Sequence, residues 1–140
     1  MATFTKFLFF VEDLGKKLHD LNTNTLKVML TNTVPVNTNH VYADVSGTEL
    51  ANGNGYLTGG TAVGGTAYSQ TAGVGKLTGS DVVFTATGSM GPFRYVILYN
   101  FTAASKNLIS YYDYAQSVTL GNGDTFTVDF DASAGILTNT

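Results

Sequence analysis

The chain has 140 residues, net charge −3 and no cysteine, and charged residues make up 12% of it. That length suits one domain over residues 1–140, large enough to bury a core without a metal or disulfide. The missing thiols exclude cysteine nucleophiles, disulfides and cysteine-based metal centres. The seven basic residues, Lys6, Lys16, Lys17, Lys27, Lys76, Arg94 and Lys106, are scattered. No basic stripe marks a nucleic-acid surface. The longest apolar run, Phe7-Leu8-Phe9-Phe10-Val11, is far below the ~20 residues of a membrane span. It is followed by Glu12-Asp13 where a signal-peptide cleavage site would need small residues. The reading is a protein made and used without secretion, with no membrane partner.

In chain order, Phe4, Phe7, Leu8, Val11, Leu14, Leu18 and Leu21 recur at three- and four-residue steps. This predicts an amphipathic helix over about 3–21, capped by Thr3 and ended near Asn22. Glu12→Lys16 and Asp13→Lys17 have the supportive i,i+4 spacing on its polar face. The apolar face should dock on the rest of the protein through Phe7, Val11, Leu14 and Leu18. Phe9 falls on the polar face, which makes it a candidate partner contact.

After Thr25 the period changes to two, and a β domain is predicted over about 25–138. "TLKVMLTNT" sets Leu26, Val28 and Leu30 on one side and Lys27, Met29 and Thr31 on the other. "VPVNTNHVYADV" reads as a connection with a short strand at His40–Val45, Pro35 arguing against a central one. Strands return at "DVVFTAT" (81–87). "FRYVILYNF" (93–101) is apolar on both faces, as a covered central strand must be. "LISYYDY" (108–114) follows. "SVTL-GNG-DTFTVDF" reads as a hairpin with Phe126, Val128 and Phe130 inward. "AGILT" (134–138) closes the chain. Short-spaced strands without interleaved helices imply a mainly β fold, an antiparallel sandwich or barrel-like domain, with one N-terminal helix.

Between these parts lies a long Gly-rich segment, residues 47–80. It holds ten of the sixteen glycines, and only Glu49 and Lys76 carry charge. Its flexibility, low desolvation cost and spaced anchors Tyr56, Leu57, Val63, Tyr68 and Val74 predict a partner-contacting arm, mobile alone and ordered on assembly. The alternative is an ordered hairpin packed on its own domain.

The chemical inventory is poor. His19 and His40 sit in no metal-ligand motif and read as surface residues. No G-x-S-x-G elbow occurs. "GVGKLTG" lacks the [ST] and the following helix of a phosphate loop. Asp124, Asp129 and Asp131, with Asp113 on a neighbouring strand, offer a calcium site or a glycosidase pair. The spacing is not that of an EF-hand and no tryptophan supplies a sugar platform, so a solvated strand face is the preferred reading. Tyr95, Tyr99, Tyr111, Tyr112 and Tyr114 crowd two adjacent strand regions. They read first as cross-strand packing, with sugar stacking as an alternative. No catalytic, cofactor or metal residue is assigned.

Two long stretches carry a resemblance. "GPFRYVILYNFTAASKNLISYYDYAQSVTLGNGDTFTVDFDASAGILT" resembles a family of small virion proteins of tailed bacteriophages. "FTKFLFFVEDLGKKLHDLNTNTLKVMLTNTVPV" and "GNGYLTGG" fit the same family, so the similarity spans nearly the whole chain. It implies a capsid decoration (cement) protein that binds the outside of the shell, often as a trimer. Its partners would be the major capsid protein and copies of itself, and its location the virion, assembled in the host cytoplasm. A tail or head–tail component, or a carbohydrate-binding adhesion module, remains the alternative. The motifs are structural and carry no functional residues over.

Overall fold

The computed structural model describes residues 2–140. It is mainly β, with antiparallel pairing throughout and one short helix. The order is β1 (Thr3–Lys6), α1 (Phe9–Gly15), β2 (Leu26–Thr31), 3₁₀ turns at Tyr42–Asp44 and Ser46–Thr48, β3 (Thr61–Ala62), β4 (Ala67–Thr71), β5 (Val74–Thr78), β6 (Val82–Thr85), β7 (Met90–Asn100), β8 (Leu108–Leu120), β9 (Thr125–Val128) and β10 (Leu137–Asn139). A five-stranded sheet runs β1-β8-β7-β2-β3; a three-stranded sheet runs β10-β5-β4; β6 and β9 form a pair. No helix among the described residues is long and apolar enough to cross a membrane.

β7 is the central strand, between β8 and β2. Its alternation divides the interior. Val96 and Leu98 join Val28, Leu30 and Ile109 on one face, against Leu77, Val82, Phe84 and Val128 from the smaller sheets and Phe130 just beyond β9. Ile97 and Tyr99 join Phe7, Met29, Val45 and Leu108 on the other. The register Val28↔Leu98, Met29↔Ile97, Leu30↔Val96 keeps each strand's two sets on their own sides. The result is a sandwich-like packing with the long sheet covered on both faces.

The predicted helix over 3–21 is corrected in two ways. Its beginning is strand: Thr3–Lys6 pairs with β8, Thr3 opposite Asp113 and Lys6 opposite Ser110. Phe4 and Phe7 are spaced for a helix, but the β-branched Thr3 and Thr5 also suit a strand, and the free edge of β8 pairs with the segment. Its end comes early. The Leu18 N–H donates to the Asp13 carbonyl (2.9 Å) and the Lys17 N–H to that of Leu14 (3.2 Å), with Lys17 at φ 66°. This is a Schellman termination with lysine in the left-handed position.

The shortened helix turns a different face inward. Phe10 and Asp13 are buried and Leu14 is half-buried, whereas Val11 is 56% exposed and Leu18 42%. Of the predicted docking set only Phe7, outside the helix, and Leu14 point inward. Glu12 and Lys16 do pair, but Asp13 is not paired with Lys17.

Two strand assignments are corrected as well. His40–Val45 keeps one strand-like bridge, Val41 opposite Asn107, and then turns, because the Asp44 carboxylate accepts from the His40 and Val41 N–H groups (2.8 and 3.0 Å). The expected hairpin at 117–130 does not form. β8 runs on to Leu120 beside β7, and β9 pairs with β6, Phe84 opposite Phe126. The turn at 121–124 changes sheets, with Asp124 Oδ2 accepting the Gly121 N–H at 2.9 Å. Val128 and Phe130 are nevertheless buried, as their alternation predicts.

Candidate functional site

The Gly-rich segment is folded against the domain, through a carboxylate. Glu49 is half-buried beside the end of β2, where it bridges Thr31. It accepts hydrogen bonds from the hydroxyl of Tyr42, the hydroxyl of Tyr56 (2.6 Å) and the N–H of Gly59 (2.6 Å). The Tyr56 oxygen in turn accepts the Leu30 N–H at 3.1 Å, and Tyr99 donates to the Gly59 carbonyl at 2.5 Å. Burial, with the neighbouring Glu49 charge, pushes the Tyr99 phenol up to about 12. Burial first, then the hydrogen bond to Glu49, raises Tyr42 and Tyr56 above the ordinary phenol range. The tyrosines therefore remain donors; Glu49 holds Tyr42, Tyr56 and Gly59 together, and the Tyr56 and Tyr99 hydroxyls join them to β2 and β7.

This arrangement redistributes the candidate interface residues. Tyr56, 1% exposed, and Val63 are core residues of their own chain, so neither is available to a partner. The reason is the Glu49 anchor for Tyr56 and, for Val63, its N–H bond to the Leu26 carbonyl (2.9 Å), which draws it under β2. Tyr68 and Val74 are half-buried in the β4–β5 hairpin, and the Asn22 side chain accepts the Tyr68 N–H at 3.1 Å. Leu57 is 71% exposed. Phe9 lies at the surface and stacks on the His40 ring, centroids 4.2 Å apart. The segment is thus the ordered hairpin of the alternative reading, with Leu57 its most exposed apolar side chain.

Other exposed apolar residues lie on α1 and on the loop bonded to its start. The Leu8 N–H donates to the Asn37 carbonyl (3.0 Å), which joins the start of the helix to the 34–37 loop. Leu8, Phe9 and Val11 on the helix side and Val34 and Val36 on the loop are all exposed. Beneath them Asp13 is 1% exposed; both its oxygens lie within 2.9 Å of His40 Nε2, and Asn107 donates to it at 2.9 Å. His40 therefore bridges the patch to a buried carboxylate.

His19 is also buried, which corrects its surface reading. Asn100 explains how. Its carbonyl oxygen accepts from the Thr102 and Ala103 N–H groups, so its amide nitrogen faces Asn24 Oδ1 (2.8 Å) and His19 Nδ1 (3.1 Å). Nδ1 must then accept, and the ring proton sits on Nε2, which has no partner among the described residues. Burial, the largest cause, lowers its basicity. A second proton would also set an N–H against the Asn100 amide. A depressed histidine contributes full stability above its unfolded value, near 6.5, and loses it as pH falls through the folded one. The urea midpoint should fall between about pH 7.5 and pH 5. His19→Gln should flatten that slope; an unchanged slope would reassign it to other groups.

The acidic residues are dispersed. Asp113 holds Arg94 through two bonds (2.7 and 3.1 Å), and Asp124 caps its turn. Asp129 and Asp131 are exposed and share one cleft of about 410 Å³ with Phe4, Tyr112, Tyr114 and Phe130. Asp131 Oδ1 accepts the Ser133 and Ala134 N–H groups, both at 2.7 Å. Among the described residues no group of three or more His, Asp or Glu side chains is placed to hold a metal ion.

Two structural roles escaped the sequence reading. The polar-face placement of Asp13 does not foresee its burial, and the sequence reading assigns Glu49 no role. Glu49's isolation in an uncharged stretch was the one available sign of its role. Comparison with protein-family models, with curated proteins and with solved structures finds no match.

Proposed function

We propose that this chain is a non-enzymatic structural component of a phage particle, a decoration protein that binds the outside of the capsid and stabilises it. Its partners on this reading are the major capsid protein and further copies of itself, as a trimer, in a virion assembled in the host cytoplasm. No cofactor enters this function. The observation that carries the proposal is the apolar corner at Leu8, Phe9, Val11 and Val36, all exposed on a chain with few charges. Grouped exposed apolar residues mark a protein contact. The sequence resemblance to small virion proteins supplies the context.

The test is to mix purified protein with phage heads that lack it and to locate its density by electron microscopy. Density on the outer shell is expected. Density at the tail or the head–tail junction would replace the proposal with a tail or adaptor role. The double variant Leu8→Asp/Val11→Asp should keep the native circular dichroism, because both side chains are exposed, yet lose binding by roughly tenfold or more. Unchanged binding would move the contact away from α1. Light scattering tests the trimer, and a monomer at high micromolar concentration would remove self-association off the shell.

A further inference from the structure

The cleft between β1, β8 and the 129–136 turn carries a binding chemistry of its own. Four aromatic rings wall it: Phe4, Tyr112, Tyr114 and Phe130. Phe4 meets Tyr112 edge to face at 5.4 Å, and Tyr112 tilts against Phe130 at 6.2 Å. Tyr114 is braced from behind by Phe126, 5.0 Å away. The rings are therefore held by one another and need little ordering to receive a ligand. Asp129 and Asp131 join the lining beside Ala2, Thr127, Gly135 and Ile136, and no basic side chain among the described residues lines the cleft.

No ion pair among the described residues engages either carboxylate. The ion pairs of the described residues are Lys16–Glu12, His40–Asp13 and Arg94–Asp113. Lys76, whose charge reaches Asp131, donates its ammonium to the Ser133 carbonyl at 2.9 Å rather than to a carboxylate. Lys6, beside Phe4 on β1, has its ammonium 5.9 Å from the Phe10 ring.

Aromatic faces with unpaired negative charge attract an organic cation: the ring quadrupoles and the carboxylates act in the same direction. We propose that this cleft binds the guanidinium or alkylammonium group of a basic side chain. A bare metal ion fits worse, because Asp131 Oδ1 is already engaged by two N–H groups and aromatic walls offer no further oxygen ligands. A neutral sugar would stack on the rings but leave both charges unanswered. Burial first, then the Asp129 charge, pushes the Tyr114 phenol up to about 12, so near neutral pH it keeps its proton beside that carboxylate.

The probe is N-acetyl-arginine methylamide, compared with its neutral citrulline counterpart and with methyl glucoside, read by NMR of the Tyr112 and Tyr114 ring signals. Saturable shifts are expected with the arginine probe alone, weakening as salt rises. Asp129→Asn, at an exposed carboxylate, should preserve the fold and weaken binding by roughly threefold to tenfold. Tyr114→Phe should retain it, because the ring face remains. Equal shifts with citrulline or with the glucoside would overturn the inference, the latter in favour of sugar binding. So would the absence of any shift up to tens of millimolar, or an Asp129→Asn variant that binds as well as the parent. The particle-binding experiment has no bearing on this outcome.

Discussion

Gly60→Ala should destabilise the protein by about 3–5 kcal/mol, a large part of the ~5–15 kcal/mol that holds a domain together. Gly60 has φ +82°, and a Cβ there would lie 1.8 Å from the Val28 carbonyl oxygen, 2.6 Å from its carbon and 2.9 Å from the Met29 Cα. Every one of these is backbone of β2, which is hydrogen-bonded to β7 along its length. None can yield as a side chain would. Relief requires residues 59–62 to lift away, which breaks the pairing of Thr61 and Ala62 with Val28 and Lys27. The left-handed conformation alone costs an alanine about 1–2 kcal/mol. Gly73 separates the two contributions, since it has φ +83° and nothing within 4 Å of its ideal Cβ. Gly73→Ala should show the conformational cost alone. Denaturant midpoints of the two variants are the measurement. Equal losses would mean that the close approach to β2 contributes nothing.

Glu49→Ala carries the second large effect. Three donors converge on this carboxylate: the Tyr42 and Tyr56 hydroxyls and the Gly59 N–H. Tyr56 is 1% exposed, so water cannot replace the lost acceptor there. An unsatisfied buried donor costs about 1–3 kcal/mol; Tyr56 supplies that loss, and the half-buried Tyr42 and Gly59 donors add less to it. Tyr42→Phe removes one donor at a half-buried position and should cost about 1 kcal/mol. Limited proteolysis supplies an independent reading. The parent should resist cleavage between residues 47 and 80, and Glu49→Ala should be cut there first, because the anchor of the Gly-rich segment is gone. Cleavage of the parent within this segment would restore the mobile-arm reading.

Much of this architecture is legible in local pattern. The apolar run at 93–101 identifies the central strand, because a strand covered on both faces cannot hide its apolar residues in alternation. The alternation at 26–31 and the inward Val128 and Phe130 follow from the same pleat. Pairing is another matter. Nothing in "SVTLGNGDTFTVDF" states that β9 must leave β8 for β6; a Gly-Asn-Gly turn permits both, and the partner lies some forty residues earlier. The opening residues are ambiguous for the same reason, since Phe4 and Phe7 fit a helical stripe while Thr3 and Thr5 suit a strand, and only the free edge of β8 distinguishes them.

The candidate site divides along that line. By itself the sequence determined a mainly β chain, few charges, sixteen glycines and aromatic-rich paired strands, all properties of composition and short-range period. Only the tertiary structure decided that the Gly-rich segment is held in place, that Tyr56 and Val63 face their own core, and that Asp13 and His19 are buried. Those outcomes depend on single side chains reaching across the fold: Glu49 to Tyr56 and Gly59, Asp13 to His40 and Asn107, Asn100 to His19. A flexible stretch and a firmly anchored one have the same glycine content. What separates them is one buried acceptor and one backbone approach too close for any side chain, and neither exists until distant strands have paired.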